Sequence, residues 1–89
     1  MLSVVILYVL KGNSGKRYVG ITNNLTRRLH EHRQKATKAG QVLDKFHLLH
    51  TEEFFDYNKA REREKFLKTG RGRKWLDGLE SESQPARGG

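Results

Sequence analysis

The sequence has no cysteine, one proline and one tryptophan among its 89 residues. The lack of cysteine excludes a disulfide framework and thiolate-ligated zinc, and it fits a reducing compartment. Long apolar runs are also missing. The N-terminal stretch LSVVILYVL has nine residues and stops at Lys11. That is too short to span a bilayer, and it lacks the basic start and small-residue cleavage site of a signal peptide. It reads as a strand, with the cytoplasm as the expected location and no membrane partner. Acid is the scarce charge, with 10 Asp and Glu against 18 Lys and Arg, so the net charge is +8.

The length suits one domain around one modest core. Apolar residues make up 35% and charged residues 31%, which predicts a compact fold with a highly charged surface. The basic residues are clustered. Residues 59–74 hold eight Lys or Arg against Glu62 and Glu64, and residues 27–38 hold five against Glu31. A solvated face explains most charge runs. Two such clusters in so short a chain favour nucleic acid as the partner.

Residues 4–10 are apolar throughout and rich in β-branched types, the pattern of a strand buried on both faces. KGNSGK is a turn, and RYVGIT, residues 17–22, returns as a second strand. A three- or five-residue loop centred on Asn13 sets Tyr8 opposite Tyr18, with both phenols on one face. A two- or four-residue loop pairs Tyr8 with Val19 and separates the phenols. Both registers stay open at this point.

A helix is expected over residues 24–36, capped by Asn23 or Asn24 and supported by a Glu31–Lys35 pair. Residues 37–45 read as a loop. FHLLHTEEF, residues 46–54, is a third strand with Phe46, Leu48 and Phe54 in phase. A second helix spans 57–68 and stops at Gly70. RGRKWLDGL adds a basic turn and a short helix anchored by Trp75, Leu76 and Leu79. The domain is therefore expected over 1–79, with a disordered tail over 80–89.

Both main helices turn polar residues towards the core. With Leu25 on the inner face, Arg28, Leu29, His32 and Ala36 share its stripe, and Arg27, His30 and Glu31 fall outside it. On the second helix Tyr57, Ala60 and Leu67 share a face that includes Glu64 but not Glu62. Arg28 can be a stripe-edge side chain and His32 a satisfied core histidine. A buried carboxylate needs a cation, which can be Arg28 or a metal ion. Alternatively, two tyrosines, an arginine, a histidine and a glutamate suit phosphodiester hydrolysis. Arg clamps phosphate oxygens, a lone carboxylate suits Mg²⁺, and a phenol can orient or deprotonate water if its neighbours lower its pKa. Histidine-ligated metal is disfavoured: His30 and His32 diverge on a helix, and His47 and His50, three apart on a strand, are expected on opposite faces.

These residues carry a resemblance to the GIY-YIG nuclease family. Ile6-Leu7-Tyr8 matches the first motif, of which only Tyr8 is kept, and Tyr18-Val19-Gly20 matches the second. ITNNLTRRLHEH resembles the family's helix with an essential arginine and a following histidine, which fall on Arg28 and His32. AREREKFLKTGRGRKWL resembles the segment with the metal-binding glutamate, which falls on Glu64. No asparagine follows Asn58, whereas larger members carry one. The chain is most like small stand-alone bacterial members and is similar to the nuclease half of the excinuclease of nucleotide-excision repair.

The resemblance implies an α+β fold, a three-stranded antiparallel sheet flanked by helices, and cleavage with a divalent cation. The expected function is an endonuclease acting on DNA, with RNA as the second candidate, in repair or recombination. Tyr8, Tyr18, Arg28, His32 and Glu64 are the expected catalytic residues, with Glu64 on Mg²⁺ or Mn²⁺. Arg27, Lys65, Lys68, Arg71, Arg73 and Lys74 are expected on flanking phosphates, and a partner protein can supply targeting. The rival reading is a basic module that holds nucleic acid on the same fold without cutting it.

Overall fold

The computed structural model describes residues 4–43 and 45–83. Among them, three strands form one antiparallel sheet in the order β2-β1-β3, with β1 Val5–Gly12, β2 Arg17–Thr22 and β3 Phe46–Phe54. Four helices follow the chain as α1 Leu25–Arg33, α2 Lys38–Leu43, α3 Tyr57–Leu67 and α4 Gly70–Ser83. The expected α+β architecture is present.

The unbroken apolar run of β1 reflects its central place. Leu7 and Val9 point to one face, where they pack with Val19, Leu67 of α3 and Leu76 of α4. Tyr8 and Leu10 point to the other, where Leu43 of α2 and Leu25 and Leu29 of α1 meet them. A central strand covered on both sides has no position for a polar residue. Tyr8 is tolerated because its hydroxyl finds partners.

The β1–β2 turn is a three-residue loop over 13–15, centred on Ser14 rather than Asn13. Gly15 has φ +94° and supplies the left-handed position such loops need. Gly12 stays in the strand, where a side chain would meet Leu43 at 3.1 Å. The register is therefore neither of the two left open, and lies two residues from the pairing of an Asn13-centred loop. Tyr8 stands opposite Gly20, and Leu10 stands opposite Tyr18. The two phenols still share a face, as diagonal neighbours.

Four further expectations are corrected. The first helix ends at Arg33, because Lys35 turns left-handed at φ 59°. The Lys35 and Ala36 amides then close on the His32 and Glu31 carbonyls, a Schellman end. Ala36 is thus exposed beyond the helix, and Glu31 pairs with Arg27 and Arg28. Residues 38–43 form a helix rather than part of a loop. Thr37 caps it by accepting from the Gly40 amide, and Ala39 and Leu43, four apart, are buried. β3 carries a bulge at Leu49, since Val9 pairs with His50 but Leu10 with Leu48. The bulge sends Phe46 to one face and Phe54 to the other, and brings His47 and His50 to the same side. Gly70 opens α4 instead of closing α3, because Thr69 accepts from the Gly72 amide as its cap.

The expected boundary at 79/80 falls inside α4, where Glu80 bonds Lys11 and Arg17 across the hairpin. Residues 84–89 of the expected tail lie outside the described residues. Trp75 is 39% exposed and lies under the Arg63 guanidinium rather than anchoring the core.

Two glycines give opposite expectations. A Cβ at Gly40 would stand 2.1 Å from the His32 carbonyl oxygen, whereas one at Gly78, within α4, meets nothing within 4 Å. Gly78→Ala should stabilise the fold by up to about 1 kcal/mol through helix propensity. Gly40→Ala should destabilise it by roughly 1–3 kcal/mol, because α2 must leave α1. Urea unfolding of the two variants reads both signs.

Candidate active site

The α1/α2 face of the sheet gathers four of the five expected catalytic side chains. Tyr8 comes from the middle of β1, Tyr18 from the start of β2, and Arg28 and His32 from one stripe of α1. The Tyr8 hydroxyl lies 2.9 Å from His32 Nε2, and both side chains are fully buried. The three rings pack together, Tyr18 and His32 edge to face with centroids 5.4 Å apart and Tyr8 and Tyr18 tilted with centroids 6.1 Å apart. His32 Nδ1 lies 2.5 Å from Thr37 Oγ1, the same oxygen that caps α2. The ring is therefore held at both nitrogens.

Gly20 makes this packing possible. A Cβ there would stand 2.7 Å from the Tyr8 hydroxyl oxygen and 2.9 Å from a Tyr18 ring carbon. Any side chain at position 20 would occupy the space of the Tyr8 phenol. The register explains why: the strands place Gly20 directly under Tyr8.

Burial and neighbouring charge set the resting states of Tyr8, Arg28 and His32. Burial pushes the Tyr8 pKa up to about 12, partly offset by Arg28, so Tyr8 rests protonated. The Arg28 guanidinium donates to Glu31 Oε1 at 3.0 Å and is held fully charged by that carboxylate and by Tyr8. Its Nε is buried without a hydrogen-bond partner among the described residues. Burial, and the charge of Arg28 beside it, lower the His32 pKa, so the ring rests neutral.

Glu64 does not join this group directly. It sits on α3, which covers the opposite face, in the stripe of the buried Ala60 and Leu67. Its side chain is 15% exposed, while Glu62 is exposed. Among the described residues its ion pairs are with Lys68 at 3.0 Å and Arg61 at 3.8 Å, not with Arg28. α3 runs along the edge strand β2, with Tyr57 beside Ile21–Asn23 and Leu67 beside Tyr18 and Val19. Glu64 and the cluster's Arg28 and His32 thus belong to helices on opposite faces of the sheet.

Two clefts flank that strand, and Arg17 and Tyr18 line both. The larger, about 570 Å³, is bordered by Lys16, Arg28, His32 and α2. The smaller, about 410 Å³, is bordered by Lys68, Arg73 and Leu76. Of the expected phosphate contacts, Lys68 and Arg73 line the smaller cleft, and Arg27, Lys65, Arg71 and Lys74 are exposed on α1, α3 and α4. Sequence reasoning missed Thr37 and Lys38, because it read 37–45 as a loop, and Lys16, which it read only as part of the hairpin turn. The threonine cap and the Ala39–Leu43 spacing were the available signals.

Comparison with known proteins identifies the family. The family profile described as the GIY-YIG catalytic domain matches residues 5–75. The chain belongs to the GIY-YIG family, a nuclease family. It is similar to the solution NMR structure of the UPF0213 protein BH0048 from Bacillus halodurans, with 26% identity and a TM-score of 0.55, covering 85% of this chain and 84% of that one. No curated protein matches the chain. No helix among the described residues is long and apolar enough to cross a membrane.

The buried histidine makes stability depend on pH. Its folded pKa lies below the unfolded value of about 6.5, so the unfolded chain binds more protons as pH falls past that value. Stability should be complete above the unfolded pKa and decline as pH falls through it towards the folded pKa. Urea midpoints measured between about pH 7.5 and 5.5 should fall for the wild type. A His32→Gln variant should show a weaker starting stability and a flatter profile over the same window.

Proposed function

We propose that the protein is a divalent-metal-dependent endonuclease that hydrolyses phosphodiester bonds of DNA. The observation that carries this reading is the hydrogen-bonded row of Tyr8, His32 and Thr37 beside a cleft that Tyr18 and Arg28 also line. A core needs no such row, since burying polar groups costs free energy that apolar packing avoids.

The burial pattern distributes the roles. Arg28 binds the scissile phosphate, because its guanidinium can hold two oxygens and stays charged. Tyr18 is half-buried at the cleft and orients the attacking water. Tyr8 is fully buried with a pKa near 12, which suits a relay behind Tyr18 rather than the primary base. In the His32 tautomer with Nδ1–H donated to Thr37, Nε2 accepts from the Tyr8 hydroxyl. A proton leaving water for Tyr18 can then pass from Tyr18 to Tyr8 and from Tyr8 to Nε2. The water oxygen bonds phosphorus as the P–O3′ bond breaks. The transient imidazolium is offset by the phosphate charge that accumulates at Arg28.

Glu64 is the residue that would hold Mg²⁺ or Mn²⁺. Its hard carboxylate oxygens and shielded position fit an ion that keeps most of its waters, and Lys68 would have to move aside. The cation would supply positive charge for the leaving 3′-oxygen.

Supercoiled plasmid nicking in Mg²⁺ and in EDTA tests the reading. The wild type should cut only with metal, Glu64→Gln should not cut, and Glu62→Gln should retain activity. Tyr18→Phe should lose about 10²-fold or more in rate, the scale of general acid–base help. Retained DNA binding without metal-dependent cutting would favour the non-cutting basic module.

A further inference from the structure

The larger cleft combines cations with an apolar surface. Arg17 is committed to Asp77 and Glu80, and Arg28 to Glu31, but Lys16 and Lys38 have no carboxylate partner among the described residues. Beyond Lys38, which begins α2, that helix presents its apolar residues to the same cleft, with Val42 50% exposed beside Leu43. Its volume of about 570 Å³ falls in the range of pockets that enclose small organic molecules, roughly 300–1,000 Å³.

This combination fits neither a bare phosphate backbone nor an apolar ligand. A backbone alone calls for cations without an apolar wall, and an apolar ligand gains nothing from uncompensated lysines. A nucleotide has both parts, a flat weakly polar base and an anionic phosphate. A base within a duplex has its two faces covered by its neighbours. Only an unpaired or extruded base can lie against a protein wall.

We propose that the cleft holds an unpaired nucleotide next to the scissile phosphate. Its base lies against Val42 and the ring of Tyr18, and its flanking phosphates are held by Lys16 and Lys38. The substrate is thereby single-stranded nucleic acid, or the single-stranded arm of a branched or damaged duplex. The proposal rests on the nuclease reading for the phosphate's position, but its binding part stands apart from catalysis. α2 is the selecting element. Its seat depends on the close approach of Gly40 to His32, so the wall and the catalytic histidine are placed by one contact.

Fluorescence anisotropy with the full chain in EDTA tests this without cleavage. The probes are a labelled oligothymidylate, its ribose counterpart and a blunt duplex of equal length. The single strand should bind about tenfold or more tightly than the duplex, the scale of one stacked base. Val42→Asp should weaken single-strand binding about tenfold and leave duplex binding nearly unchanged. Lys16→Ala with Lys38→Ala should reduce the salt slope on the single strand by about 1.4, two phosphates' worth. Equal ribose and deoxyribose affinities would support a cleft for unpaired nucleotides of either sugar, and weaker ribose binding would support one restricted to DNA.

Duplex binding as tight as single-strand binding would overturn the proposal. So would a Val42→Asp variant with native circular dichroism and unchanged single-strand affinity. Metal-dependent nicking distinguishes the two levels. Cutting without single-strand preference sinks only this inference, and single-strand binding in the cleft without cutting sinks only the nuclease reading.

Discussion

The hydrogen bond between the Tyr8 hydroxyl and His32 Nε2 is the interaction on which the site depends. It joins the central strand to the first helix at a point from which water is excluded. A buried phenol or imidazole left unpaired would cost about 1–3 kcal/mol, so each group makes the other tolerable. Three further features exist to allow it. Gly20 leaves room for the phenol, Thr37 occupies the far nitrogen, and Gly40 lets α2 come close enough to place Thr37.

The two faces of the sheet carry different tasks. The α3/α4 face holds the aliphatic core of Leu7, Val9, Val19, Leu67 and Leu76. Arg17 and Lys11 of the hairpin hold α4 through Glu80 and Asp77, and Arg63 of α3 holds β3 through a two-pronged bond to Glu52. The α1/α2 face holds fewer aliphatic residues and the whole Tyr8–His32–Thr37 row. The aliphatic core and the Tyr8–His32–Thr37 row thus lie on opposite faces of the sheet. A reaction that draws on both Arg28 and Glu64 must be organised across the edge strand β2, where no further strand intervenes.

Much of this was legible in the residues. Helical periodicity alone placed Arg28 and His32 on one inner stripe and Glu64, but not Glu62, on another, because a turn of helix translates spacing into direction. The three strands were legible from composition and turn residues. The hairpin register was not, since either Gly12 or Gly15 could have supplied the left-handed position, and two residues separate the outcomes. α2 was missed because six residues carry too short a period. Its evidence is tertiary, namely the burial of Ala39 and Leu43. The β3 bulge has no local signature in FHLLHTEEF, and it alone reversed the expected sides of His47 and His50. The Arg28–Glu64 pairing failed for a related reason: periodicity says which way a residue points on its own helix, not which side of the sheet the helix occupies.

Adjacent arginines offer the most direct measurement. Arg27 and Arg28 carry the same charge, but Arg27 is exposed while Arg28 lies against Tyr8 with its Nε buried. Any diffuse electrostatic role must be shared between them. Single-turnover cleavage of labelled DNA, with circular dichroism to confirm folding, separates the two positions. Arg28→Ala should slow the chemical step by about 10²–10³-fold, the cost of one preorganised charge donor, and Arg28→Lys should recover little of it. Arg27→Ala should weaken binding by about one phosphate contact and leave the saturated rate unchanged. Equal losses of the saturated rate at the two positions would contradict a site built on the α1 stripe.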